Sequence, residues 1–420
     1  MDYNGTRITK GYLRLFQHIS RLNPDAILGL MAKYRADPCT QKVDLGVGVF
    51  RDLTGNTPIL DCVRRAEQSV LASQSTKSYV GAAGREEFNS GVEALVLGSA
   101  NSARRDRRVR TVQAPGGCGA LRVGAELIRV ASPATTVHVS DPTWGNHTPL
   151  LGSSGLRLAR YPYYDAAEHE LRFDAMLERL DRAAAGDVVL VHACCHNPTG
   201  ADLAPSQWKS LIELLERRRL IPFLDLAYQG FSDDLGEDVA GVRQVVEAMP
   251  EVMIATSFSK NLGLYRERVG ALIVVSDNES CAEAAYSHVL HIARSIYSMP
   301  PDHGAAIAAC IFADAGLRAA WVTELAAMRT RINDMRGLLA NHLRAVTGND
   351  SFDFIQRQRG MFSLLGVSTA VVDRLRTQHH IYMTADSRVN LAGIMPGNAA
   401  YVAESIAAAR VFALEAATIP

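Results

Sequence analysis

The chain has 420 residues, 48% of them hydrophobic, which is enough for a large core and predicts two domains. Its 44 basic and 44 acidic residues balance, no apolar run approaches the roughly 20 residues of a membrane span, and no secretory-signal pattern is present, so neither nucleic acid nor membrane is a predicted partner. Seven cysteines without CxxC spacing indicate neither a disulfide framework nor a metal site, and we expect a cytoplasmic protein.

Residues 1–20 lack clean periodicity, and we expect them to form an arm that reaches a neighbouring subunit. From about residue 108, short β-rich runs alternate with longer helical runs such as Ser206–Arg219. The predicted strands are Arg110–Gln113, Thr136–Ser140, Val188–His192, Pro222–Asp225, Val252–Ser257 and Val269–Val275. Strand–helix alternation predicts an α/β fold with a mostly parallel sheet covered by helices, in which ligands bind beyond the carboxyl ends of the strands.

After about residue 302 the pattern changes to long helices such as Leu317–Thr347. Short strands follow around Met361–Leu365 and Val389–Leu391, which predicts a second, smaller α+β domain. The predicted domains are residues 57–328 for the large one, and residues 21–56 with 329–420 for the small one.

A glycine-rich segment, Pro115–Arg122, joins a predicted strand to a predicted helix. Glycines there allow backbone N–H groups to approach an anion at the helix N-terminus. Asp141, after the next strand, favours a Rossmann dinucleotide site, but Arg122 occupies the third glycine position of G-x-G-x-x-G and would block close helix–strand packing. The segment is therefore either a phosphate cradle or a purely structural turn.

Two further polar segments follow predicted strand ends. Trp144 can stack on a cofactor ring or simply pack in the core. His147 can hydrogen-bond Asp225, or it is a satisfied structural histidine. Asn197 begins an Asn-Pro-Thr-Gly turn, and its amide can donate to a phenolate oxygen or a carboxylate, with a plain loop as the alternative.

Asp225 ends an apolar strand, and Tyr228 lies three residues further on. A carboxylate beside a pyridine nitrogen keeps that nitrogen protonated, which makes the ring an electron sink for a substrate carbanion. The alternative for Asp225 is an N-cap of the next helix.

Lys260 lies where the strand Val252–Ser257 ends, with Arg268 after it. Its amine can form a Schiff base with an aldehyde, while Ser257 and Arg268 hold a phosphate on the same molecule. Pyridoxal phosphate carries both groups. Arg388, before a short strand, can make bidentate bonds to the α-carboxylate of an amino or keto acid. The alternative for both cations is an ordinary surface residue.

Together these segments resemble the class I aminotransferases, in the aspartate and aromatic amino acid (tyrosine) subgroup, from about Asp25 to near the C-terminus. The resemblance rests on Val43–Phe50, Lys77–Gly81, the glycine-rich segment, His196–Gly200, Asp225–Phe231, Ser257–Asn261, Arg294 with Tyr297 and Ser298, Gly360–Ser363 and Ser387–Asn390. It implies fold type I of the pyridoxal phosphate enzymes and a homodimer with active sites shared across the interface.

By position, the resemblance also implies a role for each site residue. The catalytic group is Lys260 as Schiff base and proton shuttle, Asp225 at the ring nitrogen and Tyr228 at the ring hydroxyl oxygen. The other cofactor residues are Asn197 at the same oxygen, Trp144 stacked on the ring, Gly117, Cys118, Ser257 and Arg268 around the phosphate, and Tyr79 reaching it from the partner subunit. The substrate residues are Arg388 at the α-carboxylate, Arg294 of the partner at a dicarboxylate side chain, Gly48, Trp144 and Asn197, with His147 and His192 behind them.

Two residues depart from the family pattern. Cys118 replaces a threonine or serine at the phosphate, and a thiol is a weaker donor. Met299 replaces a small polar residue near Tyr297 and Ser298, and its thioether favours aromatic or aliphatic substrates.

The expected activity is ping-pong transamination between an aromatic or dicarboxylic L-amino acid and a 2-oxo acid. The presence of Arg294 favours 2-oxoglutarate or oxaloacetate as acceptor, and 2-oxoglutarate is the expected one. The alternatives are an aspartate aminotransferase or an aminotransferase of a specialised pathway. A β-lyase or racemase shares the same early chemistry, and a non-catalytic ligand-binding module is disfavoured by the intact Lys260 and Asp225.

Overall fold

The computed structural model describes residues 15–16, 19–22 and 25–418, and within them every side chain except those of residues 26 and 412–418. Most of the predicted arm, residues 1–20, lies outside this part of the chain. Strands β1 to β13 are Val43–Asp44, Val109–Pro115, Thr136–Asp141, Arg157–Pro162, Tyr164–Asp165, Glu170–Leu171, Val188–His192, Ile221–Leu226, Val252–Ser257, Val269–Val275, Phe362–Leu364, Ile381–Tyr382 and Arg388–Asn390.

Helices α1 to α15 are Ala26–Ala36, Asp61–Ser73, Glu86–Leu97, Ser102–Arg105, Gly116–Ala131, His147–Gly152, Phe173–Asp181, Pro205–Arg218, Ala240–Ala248, Glu279–Ile296, Asp302–Ala313, Ala315–Thr347, Phe354–Arg357, Thr369–Gln378 and Ala399–Thr418. Short 3₁₀ helices lie at Glu237–Val239 and Leu391–Gly393. No single helix of the described chain is long and apolar enough to cross a membrane, although α11 and α12, bent by 103°, meet that criterion as a pair.

A seven-stranded sheet forms the centre of the fold, in the order β2-β10-β9-β8-β7-β3-β4. Strand β10 is antiparallel to both of its neighbours, and the other pairs are parallel. All six predicted strands lie in this sheet, which confirms the predicted α/β class. The sequence missed β4, since Arg157–Pro162 carries two arginines, lies at an edge and buries little.

Apolar side chains alternate between the two faces of the sheet, as the two-residue period of a strand requires. Leu190 of β7, Phe223 of β8 and Met253 of β9 belong to one core cluster, which is covered by α5 and α10. Their neighbours Val191 and Leu224 belong to the other, larger cluster. Burial on both faces explains why these strands read as continuous apolar runs.

Helix α8 shows how local sequence sets the ends of a covering helix. Pro205 occupies its first turn, where no backbone donor is needed, and the Gln207 side chain accepts a hydrogen bond from Ala204 N–H at 2.9 Å. Arg219 ends the helix in the left-handed conformation. Trp208 and Leu211 pack its apolar face into the core, close to the predicted span.

Strands of the C-terminal part of the chain take part in two small two-stranded sheets. Strand β1 pairs in parallel with β12, and β11 pairs antiparallel with β13, so that Phe362 lies opposite Asn390. The pairing of Val43 with Ile381 joins an early segment to the last quarter of the chain. This is compatible with the predicted small domain, and the domain limits remain a prediction.

Candidate active site

A cavity of about 280 Å³ lies at the carboxyl ends of β7, β8 and β9, beside the N-terminus of α5. This is where an open α/β sheet is expected to bind its ligand. The lining residues are Ile27, Gly48, Gly117, Cys118, Leu121, Trp144, His192, Asn197, Asp225, Ala227, Tyr228, Ser257, Ser259, Lys260, Tyr265, Arg268, Phe362 and Arg388.

Lys260 lies in the loop between β9 and β10, with its Nζ 4.8 Å from the centre of the Tyr228 ring. Burial lowers the pKa of Lys260; Asp225 and Cys118 oppose this change, and Arg268 reinforces it. A lowered pKa leaves more of the amine neutral and therefore nucleophilic. The interpretation of Lys260 as a surface lysine is wrong.

Asp225 is buried, and its Oδ2 lies 3.0 Å from Nε2 of His147. Nδ1 of His147 lies 2.8 Å from the Thr143 hydroxyl, so both ring nitrogens have partners. Burial alone would raise the pKa of Asp225, but the hydrogen bond and charge of His147, helped by Lys260, leave it lowered. Asp225 does not cap a helix, because the chain turns after β8 and the next described helix begins at residue 237.

His192 ends β7, directly opposite Asp225 in the strand register. Its ring centre lies 5.0 Å from that of His147, and its Nε2 is buried without a hydrogen-bond partner among the described residues. Burial, together with His147, lowers the pKa of His192 to about 3. His192 is therefore neutral at physiological pH.

The glycine-rich segment forms a cradle at the N-terminus of α5. Gly116 has φ +69°, and a Cβ on it would lie 2.5 Å from Nη2 of Arg268. A Cβ on Gly117 would lie 3.2 Å from the Ser257 Cβ. Arg268 Nη1 donates to the Ser259 hydroxyl at 3.1 Å, and Asn146 approaches Cys118 Sγ at 3.7 Å. The helix N-terminus and these donors surround a space that suits a phosphate.

Arg388 also lines the cavity and is only 7% exposed. Its Nη1 donates to Asn197 Oδ1 and its Nη2 to the Gly46 carbonyl, both at 3.0 Å, while its Nε has no partner within the described chain. Burial lowers the pKa of Arg388, and Tyr228 and Asp386 oppose this effect. The surface interpretation of Arg388 is wrong, since this buried cation contacts only neutral acceptors.

Trp144 and Tyr228 line the same cavity. The Trp144 ring is partly exposed and packs edge-on against His147, with the ring centres 5.3 Å apart. Burial raises the pKa of Tyr228, which keeps its hydroxyl protonated and able to donate.

Four residues predicted at or beside the site are not among those that line the cavity: His147, which is buried behind Asp225, and Tyr79, Arg294 and Met299. Tyr79 is 90% exposed, and Arg294 is exposed and donates to the Ser298 hydroxyl. Met299 is partly buried near the end of the same segment. The roles of Tyr79 and Arg294 were predicted for a partner subunit, and a single chain leaves them as predictions.

Several lining residues received no role from the sequence. Phe362 is the most consequential, because the Arg388 guanidinium lies 4.3 Å from its ring centre and the Tyr228 ring meets it edge-on at 6.0 Å. A Cβ on Gly48 would lie 2.9 Å from Phe362 Cζ, which explains glycine at that position. The other missed residues are Ile27, Leu121, Ser259, Ala227 and Tyr265. The sequence signal for Phe362 was its place in a predicted short strand, Met361–Leu365, because that strand can pair with the predicted short strand that follows Arg388.

A lysine whose pKa is lowered, a buried aspartate and an anion cradle, gathered at one edge of an α/β sheet, define an enzyme built to hold pyridoxal phosphate. The side chains fit this cofactor: Lys260 suits its aldehyde, Asp225 its ring nitrogen, and the cradle with Ser257 and Arg268 its phosphate.

The chain belongs to the class I and class II aminotransferases, whose family model matches residues 40–406. It is 43% identical over 394 residues to the aspartate aminotransferase of Escherichia coli, covering 94% of this chain and 100% of that protein. It is 44% identical over 383 residues to the aromatic-amino-acid aminotransferase of Paracoccus denitrificans, covering 91% and 96%.

Among solved structures, the aromatic-amino-acid aminotransferase of Burkholderia pseudomallei covalently bound to pyridoxal phosphate superimposes with a TM-score of 0.92. The two chains are 42% identical, with 94% of this chain and 100% of that one covered. The chain is therefore an aminotransferase, and pyridoxal 5'-phosphate is its cofactor.

Proposed function

We propose that this enzyme transfers the amino group of an aromatic or dicarboxylic L-amino acid to a 2-oxo acid, with 2-oxoglutarate as the expected acceptor, in two successive half-reactions. The observation that carries this proposal is the position of Arg388, a buried guanidinium without a carboxylate partner in the described chain, on the same cavity as Lys260. Every amino acid and 2-oxo acid carries an α-carboxylate, which can form an ion pair with such a guanidinium.

The α-carboxylate fixes the substrate for reaction. Asn197 and the Gly46 carbonyl hold the Arg388 guanidinium in place at the cavity before a substrate arrives. A carboxylate that replaces water around this buried guanidinium makes a charge-assisted hydrogen bond, which is about twice as strong as a neutral one. Substrate binding and orientation thus depend on one preorganised cation.

Lys260 moves the proton. When bound, pyridoxal phosphate supplies an electron sink that makes the substrate α-carbon acidic. The amine of Lys260, with its pKa lowered mainly by burial, is suited to accept that proton and to deliver it elsewhere on the same side of the cavity.

Asp225 supplies the negative charge that a protonated ring nitrogen requires. His147 holds the Asp225 carboxylate through the 3.0 Å contact, and Thr143 orients the far side of the imidazole. Neutral His192 packs against His147 without adding positive charge. The carboxylate is therefore kept ionised in a buried position.

We also propose that the enzyme is a homodimer and that Tyr79 and Arg294 complete the cavity of the partner. Their exposure, and their position away from the cavity of their own chain, support this assembly. Arg294 would then pair with the second carboxylate of a dicarboxylic substrate. The balanced charge and the unpaired cysteines favour a cytoplasmic location.

The substrate proposal rests on the mixture of surfaces around the cavity. Trp144, Phe362, Leu121 and Ile27 offer apolar contact for an aromatic side chain. Relatives of similar identity are named for aspartate and for aromatic amino acids. A strict aspartate aminotransferase and an enzyme of a specialised pathway remain the competing assignments.

The test is a panel of amino donors and 2-oxo acid acceptors on the purified holoenzyme, with kcat/KM measured for each half-reaction. We expect activity with tyrosine or phenylalanine as donor and 2-oxoglutarate as acceptor. Arg294→Leu should sharply reduce kcat/KM for 2-oxoglutarate and aspartate and spare the aromatic half-reaction. Equal losses for both, or an inactive aromatic half-reaction in the parent enzyme, would contradict dual specificity, and product analysis would reveal a β-lyase or racemase.

Shared active sites are tested by mixing subunits. Lys260→Ala and Arg294→Leu each disable both sites of a homodimer toward dicarboxylates. In a hybrid of the two variants, one cavity combines an intact Lys260 with an intact Arg294 from the partner. We expect that hybrid to regain dicarboxylate activity. A hybrid as inactive as its parents would contradict the proposed assembly.

A further inference from the structure

Arg336, near the middle of α12, is a cation buried in an unusual environment. It is 1% exposed, yet no carboxylate of the described chain forms an ion pair with it. Its Nη1 donates to the Ile355 carbonyl at 3.1 Å and to the Ser363 hydroxyl at 2.7 Å. A buried charge is costly unless it is paired or fully hydrogen-bonded, so its retention calls for an explanation.

The remaining bonds of Arg336 all go to one short stretch of backbone. Its Nη2 lies within hydrogen-bond distance of the carbonyls of Arg359 at 3.1 Å, Gly360 at 2.6 Å and Phe362 at 2.6 Å. One guanidinium thus gathers the carbonyls of the segment that precedes and begins β11. We call residues 359–363 the anchor segment.

The anchor segment packs against the loop that follows β7. A Cβ on Gly360 would lie 2.4 Å from the Cys195 Cβ, and a Cβ on Gly200 would lie 2.4 Å from the Phe362 carbonyl oxygen. Arg359 N–H also donates to the Gly200 carbonyl at 2.7 Å. These contacts tie the segment to the loop that carries Asn197, the side chain that accepts from Arg388.

On its other side the anchor segment presents Phe362 to Arg388. The guanidinium of Arg388 lies over that ring at 4.3 Å, and β11 pairs with β13, which contains Arg388 itself. The position of Arg388 therefore depends on the Phe362 ring and on strand β11. Both belong to the stretch of chain whose carbonyls accept from Arg336.

We infer that Arg336 is a positioning residue for the substrate α-carboxylate, acting through the anchor segment and Phe362; this rests on the proposed role of Arg388. Removal of Arg336 would leave the three clustered carbonyls of the segment without a donor, and their mutual repulsion would displace Phe362. The site for the carboxylate would then loosen, whereas the cofactor cradle, built on α5 and on the β9–β10 loop, would keep its own contacts.

The experiment measures binding of a substrate-like carboxylate rather than turnover alone. The probe is 3-indolepropionate, which carries one carboxylate and an aromatic ring, titrated into the holoenzyme and followed by the cofactor absorbance. For Arg336→Met we expect a dissociation constant raised by about tenfold. The visible cofactor band should be unchanged, KM for donor and acceptor should rise, and kcat at saturation should stay within about twofold.

Two further variants guard against a merely structural effect. Arg336→Lys keeps the charge but has three donors on one nitrogen, so it should recover part of the lost affinity and stability. Arg331→Met is the matched control, because Arg331 is also buried on α12 and donates to the Asp52 and Ile394 carbonyls instead. It should lose stability and bind the probe normally.

The inference fails if Arg336→Met binds the probe like the parent, or if Arg331→Met shows the same loss. Should Arg336→Met not fold, Arg336→Lys decides alone, and an unchanged dissociation constant in it overturns the inference. Arg388→Leu separates this outcome from failure of the proposed function. If that variant binds the probe normally, the α-carboxylate assignment is wrong; if only Arg388→Leu weakens binding, the assignment stands and Arg336 has no positioning role.

Discussion

Replacing Gly116 by alanine tests the assignment of the phosphate cradle. Gly116 has φ +69°, and a Cβ there would lie 2.5 Å from Nη2 and 2.9 Å from Cζ of Arg268. Either the guanidinium moves or the first turn of α5 shifts. Because the Arg268 guanidinium is the end of a flexible side chain, we expect it to move away from the cradle.

The magnitude follows from two separate costs. The left-handed conformation costs an alanine roughly 1–2 kcal/mol, but this cost falls on the folded chain with or without cofactor. Loss of a charge-assisted hydrogen bond from Arg268 to the phosphate costs about 1.5–3 kcal/mol, and this falls on binding alone. The dissociation constant for pyridoxal phosphate should therefore rise about 10- to 100-fold in Gly116→Ala.

The assay is titration of the apoenzyme with pyridoxal phosphate, followed by absorbance, beside urea unfolding of the same apoenzyme. Gly397→Ala is a suitable control, because a Cβ at Gly397 meets no atom within 4 Å and the position is not left-handed. If Gly116→Ala loses stability but binds the cofactor as tightly as the parent, the phosphate does not lie in this cradle.

Three other variants test the remaining groups. Lys260→Ala should abolish turnover and the visible band of the lysine-bound cofactor while the fold and some cofactor binding remain; a retained band with normal activity would remove Lys260 from its role. Asp225→Ala should slow the reaction by several powers of ten, each worth about 1.4 kcal/mol of barrier, and Asp225→Glu should do less damage. Near-normal rates in Asp225→Ala would contradict its role at the ring nitrogen. Because burial and His147 lower the pKa of His192 from 6.5 to about 3, the unfolded chain binds the extra proton first, and stability is lost as the pH falls below 6.5. Between pH 6.5 and 5 the parent apoenzyme should lose about 1.6 kcal/mol more unfolding free energy in urea than His192→Asn, and equal losses would refute this.

Much of the large sheet could be predicted because its strands are buried on both faces. Strand β9 (Val252–Ser257) is buried at every position, and such a run stands out in a sequence. Strand β4 could not be found in this way, since its edge position lets Arg157 and Arg160 face solvent. Strand β4 is a strand because it pairs with β3, and its sequence has no apolar pattern that would reveal this.

The site was predictable where chemistry coincides with a strand end. Asp225 and Lys260 each follow an apolar run, and this place in the chain implies the ligand edge of the sheet. The contributions of Phe362 and Arg336 could not be read in the same way, because one depends on a ring packed beneath Arg388 and the other on carbonyls brought together by folding. The roles proposed for Tyr79 and Arg294 require a second chain, so they stay predictions.

The antiparallel direction of β10 affects how substitutions can alter the reactivity of the enzyme. Since β9 leaves the sheet at the cavity and β10 re-enters it there, one loop, residues 258–268, carries both Lys260 and Arg268. Under the proposed roles, this single segment would hold both the aldehyde end and the phosphate end of the cofactor, whereas Asp225 belongs to β8. The loop also contains Asn261, whose carbonyl accepts a hydrogen bond from Trp321 Nε1 at 2.8 Å. A shift of the loop would move Lys260 and Arg268 together, and it would change their position relative to Asp225. We therefore expect substitutions at positions that contact this loop, such as Trp321, to change the reaction rate while the cofactor stays bound.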